Sequence, residues 1–182
     1  MKNYKFILTI VILLILGSLL MVNIIQENKS AKNIKDFDDC MERGFPILES
    51  YPEQCIANGE KYMRFIGNEM EKIDLIVVDN PRPNQSIKSP LSVNGRARGY
   101  WFFEASFPVR LFDDNGNEIS IAVASAVLDE NETWMTEDFV NFETIIEFEK
   151  PETKKGLLIF EKDNPSGLPE NEDSLMMPVY FE

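Results

Sequence analysis

The chain contains no histidine. That absence excludes Ser-His-Asp and Cys-His triads, a histidine general base and any histidine metal site. Cysteine is nearly absent too, with Cys40 and Cys55 the only pair, too few for a cysteine-rich zinc site. Positive charge is scarce: 18 Lys and Arg stand against 31 Asp and Glu, a formal charge of −13. So acidic a body is repelled by nucleic acid and by anionic lipid heads, although the same surplus serves plain solubility. No Gly-rich phosphate loop and no nucleophile elbow occurs. The number of acids alone leaves a paired-carboxylate hydrolase open. The expectation is a non-enzymatic chain that uses no cofactor and binds no nucleic acid.

What is present starts with one long apolar run. After MKNYK, Phe6 to Ile25 holds twenty uncharged residues, which as a helix span roughly 30 Å, the thickness of bilayer hydrocarbon. A cleaved signal peptide and a retained anchor both fit. The run exceeds the usual signal-peptide core, no small-x-small cleavage site follows it, and no nearby cysteine supports lipid attachment. Residues 1–26 are therefore expected as an uncleaved transmembrane anchor and 27–36 as a polar linker. Lys29, Lys32 and Lys35 beyond the run weaken any orientation argument from basic residues. A disulfide and a β-rich body place the carboxy-terminal part outside the cytoplasm.

Residues 37–66 form a small module in which Cys40 and Cys55 bracket Gly44, Pro46 and Pro52. A bridge closing that loop would contribute about 3 kcal/mol and be the main staple of so small a unit. A reactive redox pair is the other reading. The spacing is not C-x-x-C and no basic group is evidently poised to lower a thiol pKa. Asn68 to Lys72 reads as a further polar connector.

From residue 73 to 182 short apolar runs alternate with turn signals. The expected strands are 73–79, 87–97, 103–113, 118–128, 139–149, 157–162 and 174–181, seven in all. Phe103, Ala105, Phe107, Val109 and Leu111 fall on one face at period two. Pro108 predicts an edge or a bulge in that strand. Asp114 to Asn117 is a hairpin signal because Asn-Gly accepts positive φ. Count and spacing give an all-β fold, an immunoglobulin-like β-sandwich of about seven strands behind one amino-terminal transmembrane helix.

Three blocks, SPLSVNGRARGYWFFEASFPVRLFDDNGN, WMTEDFVNFE and EKDNPSGLPENEDSLMMPVYF, resemble the immunoglobulin-like domain of bacterial spore germination proteins over Ile73 to Phe181. The resemblance implies an extracytoplasmic sandwich, often attached to a membrane segment and joined to other modules, with an adhesive or scaffolding part in envelope complexes. Members also occur in bacteria that make no spores. The companion domain of many spore germination lipoproteins is missing from this chain. The Cys40–Cys55 segment, with GFP and YPEQC, is similar to a two-cysteine motif of other bacterial envelope proteins.

Candidate partner-binding residues cluster in Ile87 to Asp113. Arg96 and Arg98 share one strand face opposite Gly95, Ala97 and Gly99, and with Arg110 they could fork a carboxylate or phosphate. Ordinary pairing with Glu104 or the acids of 137–149 competes with that reading. Among Tyr100, Trp101, Phe102 and Phe103 an extended strand exposes two rings. An exposed Trp101, or Trp134 in the acidic loop, could stack on a sugar or a partner, unless the corner seals the sandwich. Asp113, Asp114, Asn115, Asn117 and Glu118 could ligate Ca²⁺, but without EF-hand spacing a hairpin turn is the simpler account. Asp163, Asn164, Ser166, Glu170, Glu172 and Asp173 likewise read as a loop before a cation site. The function expected is a membrane-anchored extracytoplasmic module that binds an envelope protein or cell-wall polymer. The alternatives are a peptidoglycan-binding or -cleaving protein and a Ca²⁺-dependent adhesin.

Overall fold

A computed structural model describes residues 15–17, 33–130 and 132–182. The expected anchor at 1–26 lies outside the described residues except for 15–17, as does the linker except for 33–36. Among the described residues no helix is long and apolar enough to cross a membrane. Contacts divide the chain into two units, Met1–Phe65 and Ile66–Glu182.

In the first unit, helix α1 (Phe37–Glu42) precedes three antiparallel strands, β1 (Ile47–Leu48), β2 (Gln54–Ala57) and β3 (Glu60–Met63). Asp36 caps α1 by accepting the Asp39 N–H at 2.8 Å, satisfying an otherwise orphaned helix donor. Cys40 on α1 and Cys55 on β2 are joined, with Cα atoms 6.1 Å apart. Among the described residues, Phe37, Cys40, Cys55 and Ala57 form the buried apolar core of this unit, with Ile34, Phe45 and Tyr62 packed against it. So few residues bury little surface, and the disulfide carries much of the unit's order.

The second unit opens with helix α2 (Glu69–Lys72), then runs β4 (Ile76–Asn80), β5 (Ser86–Ile87), β6 (Leu91–Arg98), β7 (Ser106–Asp113), β8 (Glu118–Val127), β9 (Phe139–Ile146), β10 (Lys155–Glu161) and β11 (Ser174–Phe181). All seven expected strands are present. An eighth, β5, is only two residues long and pairs in parallel with β11. The strand order β4-β6-β9-β8-β7-β10-β11-β5 folds into two layers. β4, β6 and β9 make one, and β8, β7, β10, β11 and β5 the other. Only the end of β8, Ser125 to Val127, crosses to pair with Glu143 to Asn141 of β9. The chain thus leaves β4 in one layer and enters β5 in the other through Pro81 and Pro83.

Alternation builds the core. β6 buries Leu91, Val93, Gly95 and Ala97 and turns Ser92, Asn94 and Arg96 outward, as period two requires. Phe107 of β7 meets Phe142 of β9 edge-to-face at 5.0 Å, and Phe142 reaches Phe160 of β10 at 6.2 Å, so rings from both layers interlock. Such pairs add to their burial because ring edges and faces carry opposite partial charge.

Three expectations need correction. Asn68 to Lys72 is not a free connector: α2 belongs to the second unit, through Lys72–Asp173 at 2.6 Å and Arg82–Glu69 at 2.8 Å. The strand expected at 103–113 starts only at Ser106, because Glu104 (φ 49) and Ala105 (φ 60) form a tight turn. Finally, β7 is interior, not an edge. The Ala105 carbonyl accepts from Ala126 on the β8 side, so by alternation Pro108 turns its nitrogen toward β10. There it lies one position past the last pair, Val109–Phe160, and the missing donor breaks no rung.

Candidate functional site

The corner after β6 gathers most of the residues singled out in the sequence. β6 ends at Arg98, a 3₁₀ turn covers Gly99–Trp101, and the acidic loop between β8 and β9 folds over it. Gly99 is required here: a Cβ on it would overlap the carbonyl oxygens of Trp134 and Thr136, so only glycine lets that backbone approach. The Gly99 N–H donates to the Asp138 carbonyl at 3.1 Å. Arg98 fastens the same loop. Its Nη1 donates to the Glu137 carbonyl at 3.2 Å, its Nε to the Asp74 carbonyl at 2.9 Å, and its guanidinium lies 4.1 Å from the Phe139 ring centre. Inside the loop, the Thr133 and Thr136 hydroxyls accept the N–H groups of Met135 and Asp138.

The four-ring run resolves differently from an extended strand. The 3₁₀ turn breaks the alternation, so neighbouring Trp101 and Phe102 both point inward, at 0% and 4% exposure. Trp101 therefore seals the sandwich and cannot stack on a ligand. Its indole N–H meets no acceptor among the described residues. Tyr100 is left outside at 49% exposure, beside Met135 at 72%. Between them Trp134 is half-buried and packs on the core. Gly99, Tyr100, Trp134, Met135, Thr136 and Glu137 line a shallow depression of about 380 Å³. Sequence reasoning missed Met135, although one apolar side chain beside a tryptophan in an otherwise polar, acidic loop was the available signal.

The expected guanidinium fork does not form. Arg98 spends donors on two carbonyls, while Arg96 faces Asp79 of β4 at 4.0 Å and lies 5.6 Å from Phe139. Neither pairs with the side chains of Glu104 or the acids of 137–149. Arg110 is in the other layer, on β7, held by Glu118 at 2.6 Å and Glu161 at 3.0 Å. The hydrogen bonds it donates to those carboxylates push its pKa further up. Arg96, Arg98, Tyr100 and Trp134 come together, Arg110 stands apart, and Trp101 lies beneath.

The two oxygen-rich loops are occupied internally. Asp113 accepts from the Asn115 N–H, the Asn117 N–H and Asn117 Nδ2 at 2.8 to 3.0 Å. Those bonds, chiefly from Asn117, hold its carboxyl below the usual aspartate value. In the later loop Asn164, Ser166 and Asn171 bond one another, and Asp173 engages Lys72 and the Ser174 N–H. A groove of about 630 Å³ runs beside α2, lined by Glu71, Lys72, Glu161, Lys162 and Asp163 among others. No group of three or more Asp, Glu or Cys is placed to hold a metal ion among the described residues.

The family described as the immunoglobulin-like domain of bacterial spore germination matches residues 75–167. No curated protein and no solved structure matches the chain. The match covers β4 through β10, with β11 completing the second layer by pairing along the whole of β10. With just over half its length matched, this chain belongs to the family of immunoglobulin-like domains of bacterial spore germination.

Proposed function

We propose that the chain is a membrane-anchored module, displayed outside the cytoplasm, which binds an envelope partner through the Tyr100–Trp134–Met135 corner and performs no chemistry of its own. One observation carries this reading: two exposed apolar side chains and a half-buried indole sit on a backbone fixed by Gly99 and Arg98. Rigid aromatic groups of this kind lose little entropy on binding and supply large contact area. The apolar run at 6–25 and the Cys40–Cys55 bridge support the placement, and the histidine-free sequence supports binding over catalysis.

The partner is an envelope protein or a cell-wall polymer, since Tyr100 and Trp134 suit a side chain or a sugar face equally. Photo-crosslinking from position 100 in the native cell, beside a pull-down on purified peptidoglycan, tests the proposal. Tyr100→Ala with Met135→Ala is expected to abolish capture of a discrete partner while leaving the melting temperature unchanged. Capture unaffected by both substitutions would overturn the corner as the site. Retention on glycan alone would assign the polymer.

A further inference from the structure

We infer that the outer face of the β8-β7-β10-β11 layer docks a helix of a partner protein, apolar along one side and carrying Lys or Arg at one end. This surface is separate from the aromatic corner. Strand register lays out its rows. Ile121, Arg110, Ile159 and Met176 stand side by side across the four strands. Phe112, Leu157 and Pro178 form the row on one side, and Val123 with Pro108 begins the row on the other. None of these residues is buried, and Ile121 and Val123 are 51% and 59% exposed. Arg110 is the one charge in the middle row, and Glu118 and Glu161 already neutralise it. An antiparallel layer over a core ordinarily turns polar residues outward. The other layer largely does so, presenting Ser92, Asn94 and Arg96 of β6 beside Asn141 and Glu143 of β9. A layer that is apolar on both faces marks a surface for contact.

The edges of this layer are shut. β9 pairs with the end of β8, and Ser120 Oγ donates to the Glu147 carbonyl at 2.7 Å. β5 and Asn68 hold the far side of β11. An occupant therefore lies on the face and receives no ladder hydrogen bonds. Its own backbone must be satisfied internally, as a helix is. Four strands about 4.8 Å apart, carrying three rows of side chains, give a face of roughly 400 Å². That suits one helix of about four turns. It is half of the area, about 800 Å² for each partner, typical of stable pairs of globular bodies.

Charge selects and orients the occupant. At its Pro108 and Glu161 end the face runs into the groove beside α2, which both residues help to line. In that groove Asp173 is paired with Lys72, and Glu161 with Arg110. Glu71, Asp163 and Glu172 have no ion-pair partner among the described residues, and the only other cation lining the groove is Lys162. Lys or Arg at the end of a docked helix meets this surplus, whereas a second copy, acidic itself, brings no excess of cations.

The test places a photo-reactive group at position 123 of the full chain, held in nanodiscs of zwitterionic lipid. The probe is a labelled eighteen-residue helical peptide, leucine on one side and glutamine on the other, ending in three lysines. Controls are a shuffled peptide without an apolar side and a version ending in three glutamates. A chain labelled at position 94, on the polar outer face, reports contact that is not specific. The expected result is saturable crosslinking from 123, at least tenfold tighter than for either control peptide, and none from 94. Ile121→Thr with Met176→Thr should weaken it at least tenfold without lowering the melting temperature. Asp163→Asn with Glu172→Gln should weaken capture of the lysine peptide and not of the glutamate one. Equal crosslinking of either control peptide, equal signal from 94, or no signal from 123 at millimolar peptide would overturn the inference. So would a dimer in sedimentation that the two threonine substitutions dissolve, because the face would then be taken by a second copy. None of these outcomes depends on Tyr100 or Met135, so the corner proposal stands or falls separately.

Discussion

Asn68 binds Met176 from both sides of one residue. The Met176 N–H donates to Asn68 Oδ1 at 2.7 Å, and the Met176 carbonyl accepts from the Asn68 N–H at 3.2 Å. Asn68 Nδ2 adds a third bond, to the Ser174 carbonyl at 2.9 Å. One side chain thus does the work of a neighbouring strand on the edge of β11. Gly67 (φ 75) makes the approach possible, since a Cβ there would overlap the Met176 carbonyl. Asn68→Ala removes both side-chain bonds and should lower stability by about 2 kcal/mol. Asn68→Asp keeps the acceptor and loses the donor, so its effect should be intermediate. Urea midpoints and the exchange rate of the Met176 amide check both. An alanine variant as stable as the parent would show that water replaces the side chain at no cost.

The first unit should depend on its bridge and the second should not. Among the described residues of the first unit only Phe37 and Ala57 are buried with the two cysteines, and loss of a cross-link closing roughly 15 residues costs about 3 kcal/mol in the chain-entropy model. Replacing both cysteines with serine, or reducing the bridge, should open residues 37–65 to protease while Ile66–Glu182 remains intact. Mass spectrometry of the fragments reads the result. Alkylation before and after reduction should show two labelled cysteines only after reduction. Equal protease resistance of the parent and the serine variant would remove the structural role.

The sandwich was legible because each long strand carries its own alternation and its own stop signals. Features set by distant partners were not. Asn68 and Met176 are 108 residues apart, and nothing in the run Gly67-Asn68-Glu69 marks Asn68 as a strand surrogate. β5 is too short to show any period, and α2 is a single turn whose apolar pattern is equally invisible. At the aromatic corner the residue types were readable but their directions were not. Extending the strand through Tyr100 to Phe103 assumed alternation, which the 3₁₀ turn at Gly99–Trp101 cancels. Likewise Arg98 stood out as a binding group, although the carbonyls that occupy it come from residues 24 and 39 positions away.

The turn before β7 should be improvable. Phe103 and Ser106 exchange two main-chain bonds at 3.0 Å around Glu104 and Ala105, both with positive φ. A two-residue turn of this geometry favours Asn-Gly, and a side chain other than Asn, Asp or Gly is strained there. Glu104→Asn with Ala105→Gly should therefore stabilise the fold by about 1 kcal/mol, the relief of strain exceeding the extra freedom glycine gives the unfolded chain. Thermal unfolding of the double variant tests it. A lower melting temperature would mean that the Glu104 and Ala105 side chains contribute more than their backbone costs.

Glu69 should make stability fall as pH rises through a defined window. It is the one charged residue buried among those described, at 5% exposure, with Arg82 Nη2 2.8 Å from its carboxylate. Burial raises its pKa above 4.5, and the charge and hydrogen bond of Arg82 oppose the shift only in part. The folded chain then binds this proton more tightly than the unfolded chain. Between the unfolded value and the raised folded one, the folded state carries more protons, so the slope of unfolding free energy with pH is negative. Stability from this group is fully present below the unfolded value and is lost as pH rises through the folded one. Glu69→Gln has no such titration. The stability of the parent minus that of the variant should decline with rising pH from about 4.5 and then level off, read from urea midpoints over roughly pH 4 to 8. A difference that grows with pH would reverse the sign, and would mean that the pull of Arg82 outweighs burial.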